Sequence, residues 1–130
     1  MSDTRRPQTD VSAPGAVLID LKTSGVRSGV QWSHESDDLD LTLLAWTQDR
    51  GIAPHVNAEV DVVLIAVEGA GIVTVNGTAH PLTTGQALLI PKGCERAIAP
   101  AAEGFSYLSV HRRRRGLMPT MNFKPTFSNE

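Results

Sequence analysis

His55, Asn57 and Glu59 occupy alternate positions in the stretch Pro54-His-Val-Asn-Ala-Glu59. An extended chain sends alternate side chains to one side, so an imidazole, an amide and a carboxylate would share a face. Imidazole with carboxylate is donor chemistry for a divalent transition metal, and an imidazole alone serves acid–base chemistry near neutral pH. A third donor would have to come from His34, Cys94 or His111. Spacing does not bring those together. Each residue also has a structural reading: His55 as a loop histidine after Pro54, Asn57 as a turn residue, Cys94 as a small buried filler. Trp32, Trp46 and Tyr107 read as core or as pocket wall. The one charge run, His111-Arg-Arg-Arg-Arg115, has no aromatic stacking platform beside it and reads as a solvated strand end rather than a phosphate or nucleic-acid patch.

The elements that must position these groups are short strands. Asn76-Gly77 lies between two apolar runs and is a strong hairpin signal, because both central residues of a type I′ turn need positive φ. Ile72 to Val75 alternate before it, and residues 79–82 follow. Pro91 ends the apolar run 87–90, since a central strand cannot accept a residue without an N–H. Further strands are expected at residues 17–21, 30–33, 39–47 and 60–67. A tight connection is expected at 68–71, a short strand at 96–99 closed by Pro100, and a last strand at 105–111. No segment longer than a turn has helical periodicity. Strands at this spacing predict an all-β antiparallel sandwich or barrel.

Composition bounds the function. The chain has 130 residues, 41% hydrophobic and 20% charged, with a net charge of −2. That suits one domain, and no global field would draw it to nucleic acid or anionic lipid. A single cysteine leaves no internal disulfide framework and is consistent with a reducing compartment. No apolar run approaches the ~18 residues of a membrane span. The expected organisation is a flexible arm at 1–15, a β-barrel domain at 16–115 and a tail at 116–130, in a cytoplasmic protein.

The turn skeleton resembles the cupin superfamily, small jelly-roll barrels with a ligand or metal site inside. In the second cupin motif, G-x5-P-x-G-x2-H-x3-N, Gly85, Pro91 and Gly93 match, while Arg96 replaces the histidine and Pro100 the asparagine. In the first motif, His55 and Gly69 match, Asn57 stands at the second histidine, Val62 at the glutamate and Asp49 at the opening glycine. The resemblance implies a single antiparallel jelly-roll barrel, usually a homodimer, with the residue at position 96 facing inward. It does not carry the family's metal with it. Of four ligand positions only His55 keeps a strong donor, and a guanidinium, which cannot be deprotonated in a protein, would repel a divalent cation.

The sequence therefore predicts a metal-independent cupin that binds a small molecule, with no cofactor. The pocket would be formed by His55, Asn57, Glu59 and Arg96, and the ligand would carry a carboxylate or phosphate, which Arg recognises through parallel hydrogen bonds. One alternative is an enzyme (oxygenase, isomerase or lyase): metal-dependent, with His55 and Glu59 in a rebuilt ligand set, or metal-free, with His55 as acid–base and Arg96 at an oxyanion. Another is an oligomerisation module with a filled barrel. Glu95 and Ala97 are expected to face outward.

Overall fold

The computed structural model describes residues 15–22 and 28–114. The expected arm at 1–15, apart from Gly15, and the expected tail at 116–130 lie outside the described residues. Residues 15–22, which include the first expected strand, form no strand. Leu18 is 93% exposed, and among the described residues no strand pairs with this run.

Seven antiparallel strands follow: β1 (Gly29–Glu35), β2 (Leu39–Trp46), β3 (Ile52–Val56), β4 (Val62–Val75), β5 (Thr78–Thr83), β6 (Ala87–Ile90) and β7 (Glu95–Arg112). They pair in the order β1-β2-β7-β4-β5, with β3 on β7 and β6 on β4, so the sheet curls into a jelly roll without closing. The Asn76-Gly77 hairpin forms as expected, with φ of 49° and 85° at the two residues. Pro91 ends β6.

Two long strands differ from the expectation. β4 runs through the glycines at 69 and 71, and β7 runs through Pro100. The ladder between them is irregular at Ala66/Glu68 and again at Gly69/Gly71, where Gly71 pairs with Pro100. Bulges let both strands bend together from one face of the roll to the other, and a proline at such a site sacrifices no regular ladder bond. Gly69 adopts φ 73° at this corner, and a Cβ there would overlap the Gly104 carbonyl oxygen. What reads as a turn in sequence is a folded-over strand.

The core fills the inside of the roll with Leu44, Val62, Leu64, Val73, Ile90 and Tyr107 among others. Tyr107 is fully buried, packs its ring at a tilt against Phe105 with centroids 5.0 Å apart, and accepts a 3.0 Å hydrogen bond from Trp46 Nε1. Because β4 and β7 each span both faces, their outer ends come opposite one another across the interior. Arg96 lies at one such end and His111 at the other.

Candidate functional site

Arg96 follows Cys94 and precedes Ile98 on the side of β7 that faces the core, and it is 3% exposed. Glu95 is exposed and Ala97 half-buried. The Arg96 side chain already engages an interaction within the protein. Its neighbours across the ladder are Val75 on β4 and His55 on β3. The pairing with His55 depends on a bulge. Ile52 pairs with Ile98 and His55 with Arg96, three residues against two. Simple alternation would put His55 on the opposite side from Ile52; the extra residue turns it inward beside the guanidinium.

The His55 ring is held by its Nδ1, which lies 3.1 Å from the Ala53 carbonyl oxygen and so carries the proton in the neutral ring. Its Nε2 is buried without a hydrogen-bond partner. Burial pushes the His55 pKa below its ordinary value. The Ala53 bond opposes this, and the positive charges of Arg96 and Arg114 add to it.

Asn57 turns the chain. Its Oδ1 accepts from the backbone N–H groups of Glu59 at 3.0 Å and Val60 at 3.4 Å, and its carbonyl accepts from Gly93 N–H at 2.8 Å. Those bonds fix the amide orientation, so the buried Nδ2, which has no partner, is the remaining donor. The turn also ends the extended chain on which His55, Asn57 and Glu59 were expected to share a face. β3 stops at Val56. Glu59 instead lies at the rim, its side chain 61% exposed and 3.9 Å from Arg114 Nε.

His111 completes the cluster from the other face of the roll. It pairs with Val62 and Asp40, is 8% exposed, and points Nε2 at Asp40 Oδ2 over 4.0 Å. Its Nδ1 lies 2.8 Å from the Arg112 carbonyl oxygen. Burial lowers its pKa; the Arg112 carbonyl bond opposes this, Arg114 adds to the lowering, and the weaker effects of Asp40 and Arg96 raise and lower it in turn. The sequence held a signal for this: Phe105, Tyr107, Ser109 and His111 share one parity, so a histidine in line with core aromatics faces inward. Among the described residues of the charge run only His111 is buried; Arg112, Arg113 and Arg114 are exposed, and Arg113 reaches Glu35 at 3.6 Å.

The remaining candidates lie apart. His34 sits opposite Leu41 on the outer side and stacks at 6.0 Å on Trp32. Cys94 packs against the core. Among the described residues no three His, Cys, Asp or Glu side chains gather to hold a metal. The donors at the motif positions do not fit one: Asn57 Oδ1 is already taken, Val62 is a fully buried hydrocarbon and Arg96 is a cation. A separate open cleft of about 220 Å³, lined by Trp46, Glu68, Glu103 and Ser106 among others, lies at the corner end of β2. Six residues of strand, about 20 Å, separate it from the His111 end.

A bent antiparallel roll with inward polar groups at one open end defines a cupin barrel, and the chain is a member of the cupin superfamily. Within it, the chain belongs to the AraC-like ligand binding domain family, whose pattern matches residues 38–115. Similar solved structures include KdgF from Halomonas sp., 20% identical with a TM-score of 0.62, covering 71% of this chain and 86% of that one. A cupin protein from Bacteroides fragilis is 16% identical with a TM-score of 0.60, covering 77% and 89%. A cupin-2 domain protein from Shewanella frigidimarina is 23% identical with a TM-score of 0.55, covering 64% and 81%. At these identities the likeness is one of fold. No curated protein sequence matches the chain.

Proposed function

We propose that this cupin barrel binds a small anion, a carboxylate or phosphate compound, without a metal, in the recess formed by His55, Asn57 and Arg96 with Glu59 at its rim. The observation that carries the reading is the pairing of a buried arginine with a half-buried histidine at the β3–β7 bulge. Arg96, 3% exposed, lies across the ladder from His55, whose Nε2 is buried and unpartnered. Nε2 of the neutral ring is an acceptor, so it is satisfied by a hydroxyl of the ligand or by proton uptake as the anion binds; left unmatched, such a buried atom costs about 1–3 kcal/mol. Asn57 Nδ2 is a second such atom and donates in the same sense as a guanidinium. Membership of a ligand-binding domain family supports the same conclusion from the fold side.

The test is calorimetric titration of wild type and Arg96→Leu with a panel of short carboxylates and phosphate esters at neutral pH. Wild type should bind at least one, and the variant should lose that binding while keeping its melting transition. A variant that binds equally well would remove Arg96 from the site. We further read the barrel domain as residues 16–115 of a cytoplasmic homodimer. The lone cysteine and the cupin membership support this reading.

A further inference from the structure

The cluster holds a second cation that the site proposed above does not use. Arg114 lies two residues beyond β7, and its Nε is 3.9 Å from Glu59 Oε1. That contact draws the strand end over the 57–61 turn, next to His55 and three residues from His111. Arg96 enters from the opposite end of β7, so the same two imidazoles feel both guanidiniums. The acids close by are Asp40, which faces His111, and Glu59. We propose that Arg114 is a ligand-binding residue, forming with Arg96 a two-guanidinium clamp that selects dianions, and that Glu59 is the carboxylate a ligand displaces from it.

This rests on the anion-binding reading and adds the ligand's charge and the residue that reads it. The chemistry follows from geometry. Arg96 is buried and fixed, whereas the Arg114 side chain is 40% exposed. A ligand could therefore seat one anionic group at the buried guanidinium and present a second to the outer one. The 3.9 Å separation between Arg114 and Glu59 exceeds hydrogen-bond distance, so the contact is a loose ion pair between partly solvated groups. Such a pair exchanges readily for a ligand carboxylate that makes two parallel bonds to the guanidinium. Glu59 then competes with the ligand, and its removal has the opposite sign from removal of Arg114.

The experiment compares succinate, its monomethyl ester and inorganic phosphate by calorimetry at pH 7.5 and low salt. The proteins are full-length wild type, Arg114→Gln and Glu59→Gln. Wild type should bind succinate or phosphate about tenfold more tightly than the monoester, the worth of one charge-assisted contact. Arg114→Gln should abolish that preference by weakening succinate and phosphate to the level of the monoester, and Glu59→Gln should tighten dianion binding. Phosphate binding without succinate binding would support the clamp and assign it to phosphate compounds; the reverse would assign it to dicarboxylates. Equal affinity for dianion and monoester in wild type, or a preference that survives Arg114→Gln, would overturn the clamp and leave the anion site standing. Binding of none of the three would overturn both. Both substitutions fall at exposed positions, and circular dichroism melts report whether either variant has lost its fold.

Discussion

At the scale of residues, two imidazoles, His111 buried and His55 half-buried, give the molecule a pH dependence. His55 and His111 both have folded-state pKa values below the unfolded one, through burial and the nearby guanidiniums. The unfolded chain therefore binds more protons than the folded one between those folded values and about 6.5. Stability from these two groups is present above about 6.5 and lost as pH falls through their folded values. Melting temperature should drop between pH 7 and pH 5, and His55→Gln with His111→Gln should flatten that slope. A melting temperature unchanged over the range in wild type would contradict this. Arg96 makes the contrast with an ordinary surface arginine. Arg96→Gln, which keeps hydrogen bonding but not charge, should weaken anion binding about tenfold or more. The sequence carried His55 and Arg96 through their motif positions, and the register sets them side by side. It did not carry Arg114, because the long contact with Glu59 depends on the end of β7 returning over a turn some fifty residues earlier. Nor could it place Glu59, since the expected parity assumed an extended chain where Asn57 builds a turn.

At the scale of elements, what could be read was whatever local chemistry decides. Asn76-Gly77 specifies its turn because no other conformation suits both residues as well, and Pro91 terminates β6 because it has no N–H to give. What could not be read was the corner. Gly69, Gly71 and Pro100 look like strand breakers one at a time, and only their mutual pairing shows that two strands bend there together. Gly69→Ala should be among the most damaging small changes in the chain. It adds a Cβ at φ 73° against the Gly104 carbonyl oxygen. A loss of about 2 kcal/mol or more is expected by urea denaturation. A loss under ~0.5 kcal/mol would mean that the corner has another backbone path. Gly77→Ala, at φ 85° in open space, should cost only its backbone strain, about 1 kcal/mol. The difference between the two isolates the close approach.

At the scale of the whole molecule, the roll brings the ends of both bent strands to one opening, where basic groups converge, and leaves an acid-lined cleft at the other. A net charge of −2 conceals that division. The outer face carries apolar side chains of its own: Leu43 at 2% and Leu108 at 8% exposure are paired with each other, and Leu89 on β6, one strand further across β4, is 59% exposed. A homodimer, the arrangement implied by the cupin resemblance, predicts twice the chain mass by sedimentation equilibrium; a monomer at micromolar concentration would contradict it. The function proposed for this molecule requires that the basic recess receive an anion. The nitrogen-15 spectrum of the Arg96 side chain and the His55 ring, recorded while succinate is added, measures that. Saturable shifts of the Arg96 Nε–H and His55 Nε2 resonances, absent with the neutral diamide, are the predicted result. Resonances that stay fixed, or that move equally with the diamide, would contradict it.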